Sequence, residues 1–501
     1  MTHLAYREGE PLRLETDFVV VGSGAGGATA AVQLARGGAH VTLVEAGAWR
    51  DPEHYPRSCY GSMRDLMDNW AATLTLGRAF WPVVQARTMG GTTVINSAIC
   101  VRTPEDVLDR WTREHGADPA MQTAFEAHQD ALERELCVEE VPPESLGRSS
   151  ELALRGAQAA GYPSHVMRRY AKGCAGSGRC MTGCRMRRKQ STNVNYVPEV
   201  MARGGRVVSS APVERVQLAR GRATGVTGVF RHPRTRRRGA RFTIRARRGV
   251  VVAASATHSP VLLLRSRVRS RALGRYFRSH PGTGVFGLYD EPVDMNTGAT
   301  QGWASTAFRT EPGFKLETLS LPPEMVLTRI PGGGRVLLER MSEYRRMAMW
   351  VHAVHAQSSG RVYAGPGGTP IVRYTLDRAD MARFRAGMVQ VAKTHFAAGA
   401  RHVAPGIYGL PWRLGPDELH RIEEAPLDPR YYVGILSHLF GGCVLGADPA
   451  TSVCDNRGRV HGVEGLAIAD ASALPTTIGV NPQHTIMAWA RWVADSLLEA
   501  Q

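Results

Sequence analysis

Two residues near the carboxyl end of the chain have side chains suited to acid–base chemistry. His438 lies just before the glycine pair of HLFGGCVLG, and Asn481 lies in GVNP, with an Asp-Ala-Ser turn at 470–472 between them. The pKa of a histidine lies near neutrality, so an imidazole can accept a proton from a substrate. An asparagine amide donates a hydrogen bond without titrating. The pair predicts a catalytic base with a hydrogen-bonding partner, and a structural histidine in the core is the alternative.

The start of the chain carries a dinucleotide-binding pattern. DFVVVG predicts a strand, GSGAGG a turn, ATAAVQLARGG a helix and HVTLVEAG a second strand. Gly22 allows the tight turn, Gly24 lets the backbone approach a pyrophosphate, and Gly27 lets the helix pack on the strand. Ala25 is in the same turn, where the helix N-terminus attracts phosphate. Glu45 ends the second strand and can accept hydrogen bonds from a ribose. The unit therefore predicts adenine-dinucleotide binding.

A second glycine-rich loop, ARTMGGTTVINSA, occupies residues 86–98. Gly90 and Gly91, followed by two threonines and Asn96, suit close approach of the backbone to a flat ring or a phosphate. An ordinary glycine-rich turn would give the same pattern, so this loop alone does not identify a ligand.

Three of the eight cysteines are clustered as C-x5-C-x3-C at Cys174, Cys180 and Cys184. In a reducing compartment such a cluster indicates metal or redox chemistry before disulfides. Packing of a glycine-rich loop, a disulfide, and a zinc site without its fourth ligand are the alternatives.

The composition is that of a globular protein with a net charge of +17, almost entirely from arginine. The basic segments 231–248 and 185–189 predict a solvated hairpin tip, and docking of an acidic partner is the alternative. We find no nucleic-acid-binding motif. No apolar run is long enough to predict a membrane span. The first residues do not resemble a secretory signal, so we expect a cytoplasmic protein.

The order of predicted elements favours an α/β fold with two domains. A Rossmann-like dinucleotide-binding domain is predicted from residues 13–110, 190–284 and 431–501, discontinuous in sequence. Residues 285–430 plus 111–189 predict an α+β substrate domain built on an antiparallel sheet, with the cysteine loop attached. Helices are expected at 105–135 and 378–398.

These blocks together resemble the glucose-methanol-choline (GMC) oxidoreductases, flavoenzymes that oxidise alcohols. The resemblance rests on VVVGSGAGG with Glu45, ARTMGGTTVIN, ASATHSPVLLLRS, LGRYFRSHP, HLFGGCVLG and GVEGLAIADASALPTTIGVNP, in the family's order and over nearly the whole chain. The last block is most similar to the cholesterol oxidase and long-chain alcohol oxidase branches. The resemblance implies bound FAD and oxidation of an alcohol by hydride transfer to the flavin N5.

The resemblance also implies roles for individual residues. His438 is the expected base and Asn481 its partner beside the flavin. Glu317 and His484 are further candidates for a role in the site. The residues expected to bind FAD are Gly22, Gly24, Ala25, Gly27, Glu45, Gly90, Gly91, Asn96, Ser97, Val213, Asp470, Ala471, Asn481 and Pro482.

Four features bear on how far the resemblance extends. Ile95 stands where some family members carry a histidine bonded covalently to the flavin, so we expect FAD to be non-covalent. Arg267 and Tyr276 stand where the family usually has glycine and asparagine. The spacing of the cysteine cluster is similar to that of a family branch with a [3Fe–4S] cluster, whose ligands would be Cys174, Cys180 and Cys184.

The expected function is oxidation of an apolar or bulky alcohol, with O2, a quinone or a redox protein as electron acceptor. A flavin-dependent lyase or another non-redox reaction on the same scaffold is one alternative. A tailoring enzyme acting on a carrier-bound substrate is another. A third is a non-enzymatic basic module, which predicts salt-sensitive DNA binding. The sequence does not identify the alcohol, the acceptor or the oligomeric state.

Overall fold

The computed structural model describes residues 2–499. Its strands are β1 (His3–Leu4), β2 (Leu12–Val21), β3 (Val41–Val44), β4 (Thr75–Leu76), β5 (Val138–Glu140), β6 (His165–Val166), β7 (Arg168–Tyr170), β8 (Arg206–Val208), β9 (Val213–Ala219), β10 (Arg222–Arg231), β11 (Arg238–Val252), β12 (Arg275–Leu288), β13 (Trp303–Ser305), β14 (Phe314–Thr318), β15 (Met347–Val354), β16 (Gly360–Ala364), β17 (Pro370–Arg373), β18 (His402–Ala404), β19 (Ile435–Phe440) and β20 (Leu466–Ile468). Its α-helices are α1 (Ala25–Arg36), α2 (Cys59–Asp65), α3 (Glu105–His115), α4 (Ala120–Glu135), α5 (Arg148–Ala159), α6 (Tyr196–Ala202), α7 (His258–Arg265), α8 (Pro323–Val326), α9 (Gly334–Met341), α10 (Arg378–Ala397), α11 (His420–Glu423) and α12 (Gln483–Glu499).

The first sheet contains the dinucleotide-binding pattern. Its order is β1-β8-β3-β2-β11-β10-β9, and β20 also pairs with β11. β2, β3, β8 and β20 run parallel to their neighbours, whereas β9 and β10 form an antiparallel extension on the first half of β11. The valines of β2 and the end of β11 are buried on both faces, as continuous apolar runs in parallel strands require.

The second sheet is mainly antiparallel, with the order β4-β17-β16-β12-β15-β14-β13-β6, and β18 and β19 also pair with β12. Helix α10 covers one face, where His395 stacks on Trp350 with ring centroids 3.7 Å apart. The combination of a largely parallel sheet with a second, antiparallel one confirms the predicted α/β fold class with an α+β substrate part.

The sheets cross the predicted domain boundaries. β12 runs through residue 284 and lies in the second sheet, as does β19 from the carboxyl-terminal block. Sheet membership does not by itself delimit domains, so the domain boundaries stay a prediction.

The predicted helix at 105–135 is two helices, α3 and α4. Gly116 ends α3 in the left-handed conformation, with φ 67°, and Pro119 precedes α4. A glycine C-cap followed closely by proline is a common helix stop. Among residues 2–499, no helix is both long and apolar enough to cross a membrane.

Candidate active site

One cavity of about 810 Å³ joins the dinucleotide-binding pattern to the predicted catalytic pair. Gly22, Gly24 and Glu45 line it at one end, and His438 and Asn481 line it as well. Further predicted cofactor-binding residues also line it, namely Ala25, Gly91, Asn96, Ser97, Val213, Asp470, Ala471 and Pro482. Folding therefore places on one cavity residues that the sequence separates by more than 400 positions.

The two glycine-rich loops meet at the start of α1. A Cβ added at Gly91 would lie 2.7 Å from the Cα of Gly24, and the Gly90 amide donates to Ser23 Oγ over 2.8 Å. Gly24 caps α1 without a side-chain hydrogen bond. Uncapped amides and the positive end of the helix dipole suit a phosphate group. This backbone cradle, open only because both loops are glycine there, fits the pyrophosphate of a dinucleotide.

Gly22 and Gly27 hold the turn against the sheet. Gly22 has φ 100°, and a Cβ there would lie 2.2 Å from the carbonyl oxygen of Ala253. A Cβ at Gly27 would lie 1.9 Å from the carbonyl oxygen of Gly22. Any larger residue at either position would move α1 away from β2 and β11.

The Glu45 carboxylate is held by protein donors beside the cavity. Its Oε2 accepts from the backbone N and the Oγ of Ser23, at 2.9 and 2.7 Å, and its Oε1 accepts from the Gly47 amide at 2.7 Å. A carboxylate has about four acceptor positions, so one is left for a ribose hydroxyl. The three bonds also fix the direction of the carboxylate.

The Asp470 carboxylate has a structural role. Its oxygens accept hydrogen bonds from Ser255 N at 2.7 Å, from Ser259 Oγ at 2.5 Å, and from the backbone and side chain of Ser472. Burial raises the pKa of Asp470, and these hydrogen bonds oppose that shift. The carboxylate joins the start of α7 to the turn after β20, so contact with a cofactor would fall to the adjoining backbone.

His438 and Asn481 are adjacent in the structure. His438 Nε2 lies 3.5 Å from Asn481 Nδ2, and His438 Nδ1 lies 3.3 Å from Nδ1 of His280 on β12. His280 Nε2 accepts from the amides of Ile478 and Gly479, at 3.2 and 3.0 Å. A neutral His280 therefore carries its proton on Nδ1 and points it at His438.

A buried lysine orients Asn481. Lys315 Nζ donates to Asn481 Oδ1 over 2.5 Å and also forms an ion pair with Glu317. Because its oxygen is engaged, the Asn481 amide presents its NH2 group toward His438. Gln301 donates to the other oxygen of Glu317 over 3.0 Å. Glu317, a candidate acid or base in the sequence, is thus the counter-ion of Lys315 at the edge of the cavity.

The charges around His438 favour its neutral form. Burial, followed by the positive charge of Lys315, lowers the pKa of His438 well below its usual value. Burial, followed by His438, His355 and Lys315, lowers the pKa of His280 in the same way. A neutral imidazole has one N–H and one bare nitrogen, so only one of the two neighbouring donors can bond to it, and the bare nitrogen is the one that can accept a proton.

Sequence reasoning missed His280 and Lys315. His280 belongs to the LGRYFRSHP block that carried the resemblance, but nothing in that block indicated a partner 158 residues away. Lys315 and Glu317 alternate in FKLETL, and two charged residues two apart in an apolar strand must face the same side. That alternation was the available signal for a buried ion pair.

His484 lies outside this cavity. Its Nδ1 is 2.5 Å from the Tyr170 hydroxyl, and its Nε2 is 3.6 Å from a Glu133 carboxylate oxygen. Cys100 completes a group whose ligand atoms lie within 4.8 Å of one another. Arg102 and Arg168 already contact Glu133, at 2.8 and 2.7 Å, which opposes a cation at this position.

The three clustered cysteines are free and face two buried cations. Arg169 donates to Cys174 Sγ at 3.6 Å and to Cys180 Sγ at 3.0 Å. Lys189, 2% exposed, lies beside the loop and donates to the Cys180 carbonyl at 3.1 Å. Burial raises the pKa of the Cys180 thiol, but Arg169 and Lys189 outweigh it and bring the value to about 7.

The same two cations also contact the glycine-rich loop 86–98, which the resemblance places beside the flavin. Arg169 Nε donates to the Ser97 carbonyl over 2.7 Å, and Lys189 Nζ donates to the carbonyls of Val94 and Asn96, at 2.5 and 2.8 Å. The cysteine loop is therefore fastened directly to one wall of the cavity.

Comparison with known proteins agrees with the sequence resemblance. The amino-terminal and carboxyl-terminal models of the GMC oxidoreductase family match residues 16–282 and 356–490. An uncharacterized GMC-type oxidoreductase of Mycobacterium tuberculosis is 36% identical over 487 residues, covering 97% of this chain and 76% of that protein.

More distant relatives include proteins with a stated activity. A long-chain-alcohol oxidase of Arabidopsis thaliana is 25% identical over 98% of this chain and 68% of its own length. The structure of an Aspergillus oryzae formate oxidase variant, studied for FAD modification, superimposes with a TM-score of 0.72 at 17% identity, covering 99% of both chains. The predicted resemblance is confirmed: the chain belongs to the GMC oxidoreductase family of FAD-binding enzymes.

Proposed function

We propose that this oxidoreductase oxidises a hydrophobic alcohol to an aldehyde or ketone, with non-covalent FAD as cofactor and His438 as base. The observation that carries the proposal is the His438–Asn481 pair on the cavity that also contains the dinucleotide-binding pattern. Bound FAD supplies the hydride acceptor. The glycine cradle, Glu45 and the start of α1 would hold its adenosine and pyrophosphate parts.

His438 is suited to take the proton of the substrate hydroxyl. Donors from His280 and Asn481 face both ring nitrogens, so a second proton on His438 is opposed, and the neutral ring keeps one bare nitrogen that can accept the substrate proton. Proton removal by a positioned base accelerates such reactions by about 10²–10⁴-fold. The Asn481 amide, oriented by Lys315, would donate to the substrate oxygen as negative charge develops there.

The side chains at the other end of the cavity favour a hydrophobic substrate. They come from β15, from the segment after β14, from the cysteine loop and from the segment that follows the loop 86–98, and they include Ile99, Met181, Leu319, Leu321, Met325, Met349 and Val351. The long-chain-alcohol oxidase among the relatives supports the same substrate class. Ile95 lines the cavity where a covalent flavin link would need a nucleophile, which supports dissociable FAD.

The test is anaerobic reduction of the FAD-loaded protein by a panel of sterols, long-chain alcohols, aryl alcohols and sugars, followed by flavin absorbance. We expect bleaching by a hydrophobic class and a rate about 10²–10⁴-fold lower in His438→Gln. His420→Gln, at an exposed histidine on α11, is the matched control and should bleach normally. Loaded protein that no alcohol bleaches would instead favour a lyase or a carrier-bound substrate.

We further propose that Cys174, Cys180 and Cys184 hold a [3Fe–4S] cluster. Thiolates are the natural ligands of such clusters, which carry net negative charge. Arg169 and Lys189 supply two buried positive charges beside these sulfurs, and the groups that favour the charged forms of both cations are these cysteines. A cluster there would pass electrons from the cavity wall toward a quinone or redox protein rather than O2.

Iron and sulfide analysis with EPR of anaerobically purified protein tests this second proposal. We expect about three iron atoms per chain, lost in Cys180→Ser and retained in Cys137→Ser, a free cysteine outside the cluster. Iron-free protein with full FAD content and activity toward O2 would contradict the cluster and leave an oxidase.

A further inference from the structure

Arg329 is a guanidinium on the substrate side of the cavity without a charged partner. It follows α8 and lines the cavity together with Leu319, Leu321 and Met325. Within residues 2–499, no ion pair and no side-chain hydrogen bond involves Arg329. Burial lowers the pKa of Arg329, and no neighbouring charge contributes to the shift. The side chain is half-buried in the cavity, and a guanidinium partly withdrawn from water without an anion is costly, which points to an anionic ligand.

The chain between Lys315 and Arg329 relates this arginine to the catalytic pair. Lys315 contacts Asn481, and from Lys315 to Leu319 the chain is extended, which spans about 14 Å at about 3.4 Å per residue. The Leu319 amide still donates to the Met349 carbonyl, at 3.0 Å, so the strand pairing continues to that point. Leu321, α8 and Arg329 follow this extended segment.

Beyond the Lys315–Glu317 ion pair, alternation along the chain gives the cavity an apolar floor. Leu319 and Leu321 line the cavity from the segment that continues β14, and Met349 and Val351 line it from the neighbouring strand β15. Gly284 lies under Met349, where a Cβ would be 2.2 Å from the Met349 Cε, so the glycine makes room for the methionine. A substrate lying on this floor would place one end near Asn481 and the other near Arg329.

We propose that the substrate is an ω-hydroxy carboxylic acid, with its hydroxyl at His438 and its carboxylate on Arg329. This inference rests on the proposed alcohol oxidation and names its substrate class. The planar guanidinium matches a carboxylate with two parallel hydrogen bonds. A singly charged carboxylate also fits an apolar, partly buried position better than a doubly charged phosphate, because the desolvation cost is smaller.

The first measurement is binding, which does not depend on catalysis. Decanoate has no hydroxyl and cannot be oxidised at its terminus, so calorimetric titration of the FAD-loaded protein with decanoate measures the anion site alone. We expect Arg329→Leu to weaken this binding at least about tenfold, the usual value of a charge-assisted hydrogen bond. Arg329→Lys should lose less, since it keeps the charge. Arg335→Leu, a fully exposed arginine on α9, is the matched control and should bind like the unmodified protein.

The second measurement compares 10-hydroxydecanoate with 1-decanol as substrates. We expect a lower KM for the hydroxy acid, lost in Arg329→Leu, and an unchanged KM for decanol. Equal effects of Arg329→Leu on both substrates, or decanoate binding that the variant leaves intact, would overturn the assignment. Tighter binding of decyl phosphate than of decanoate would overturn the choice of carboxylate. If neither alcohol is oxidised while decanoate binding depends on Arg329, the proposed reaction fails and the anion site stands.

Discussion

The surroundings of His438 determine how pH affects catalysis. Burial and the Lys315 charge place the pKa of His438 below its ordinary value of 6.5. A base must be unprotonated, so kcat/KM is constant above the pKa and falls as the pH drops through it. We expect this acid limb to lie below pH 6.5 in the kcat/KM profile. An acid limb at or above pH 6.5 would contradict the neutral His438 described above.

Substitution of Lys315 tests whether its charge lowers the pKa of His438. Lys315→Met removes a positive charge and leaves Glu317 without its partner, and both changes favour the imidazolium. The acid limb should therefore move to higher pH, with a lower plateau because Asn481 loses its orienting contact. Lys393→Met, at an exposed lysine paired with Glu423, should leave the profile unchanged.

Alanine variants of Gly22 and Gly38, which have similar backbone conformations, distinguish conformational strain from steric clash. Gly22 and Gly38 both have positive φ, 100° and 81°, but a Cβ meets the Ala253 carbonyl oxygen at Gly22 and nothing within 4 Å at Gly38. Both alanine variants should share about 1–2 kcal/mol of left-handed strain. Gly22→Ala should lose more stability than Gly38→Ala in denaturant titrations, and it alone should lose FAD. Equal losses would show that the close approach to β11 is dispensable.

Local sequence determined which residues of the site could be predicted. The glycine turns, Glu45, His438 and Asn481 each lie in a short pattern whose chemistry is readable in place. The contact of His280 with His438 depends on the pairing of β12 with β19, and that of Lys315 with Asn481 depends on β14 lying against the turn before α12, which is distant in sequence. The partners of the Asp470 carboxylate could not be predicted either, because it accepts from serines that precede it by more than 200 positions.

At the scale of elements, the end of α7 carries a departure from the family pattern. α7 ends at Arg265, and Arg267 adopts φ 62° with an exposed side chain. This is the position after the C-cap where glycine is preferred, since other residues are strained in the left-handed conformation. Tyr276, with φ 60°, stands where the family usually has asparagine. Both departures therefore keep the left-handed backbone conformation and add strain.

Restoring glycine at this helix end should stabilise the protein. We expect Arg267→Gly to raise the free energy of unfolding by about 0.5–1 kcal/mol, because relief of strain exceeds the entropy gained by the unfolded chain. Arg265→Gly, inside the last turn of α7, is the control and should destabilise by about 1 kcal/mol. Denaturant titration measures both, and a loss of stability in Arg267→Gly would indicate that the arginine side chain makes a stabilising contact.

Helices and strands could be predicted where their pattern is local in sequence. They could not be predicted where a strand pairs with strands far along the chain. The strand–helix–strand unit at the start follows from apolar runs and glycines within 30 residues. The split between α3 and α4 could have been read from Gly116 and Pro119. The course of β12, from the LGRYFRSHP block into the centre of the second sheet, could not be predicted from the local sequence. Its partners β15, β16, β18 and β19 all come later in the chain.

At the scale of the whole molecule, the position of the cavity makes folding stability depend on cofactor binding. One side of the cavity is built from β2, α1 and the end of β11, and the other from β12, β14 and β15. A ligand along its full length would contact residues from both sheets. A ligand that binds the folded state alone stabilises it by about 2.7 kcal/mol at a hundredfold excess over Kd.

Thermal unfolding of the apo and FAD-loaded protein tests this coupling. We expect a single transition whose Tm rises steadily with FAD concentration, because unfolding either sheet removes half of the site. FMN lacks the adenine and pyrophosphate that the glycine cradle and Glu45 would hold, so it should raise Tm less at equal concentration. Gly22→Ala should respond weakly to FAD, since the turn that positions α1 is displaced. Two transitions, of which FAD shifts only the one belonging to the first sheet, would mean that the second sheet folds independently and contributes little to cofactor binding.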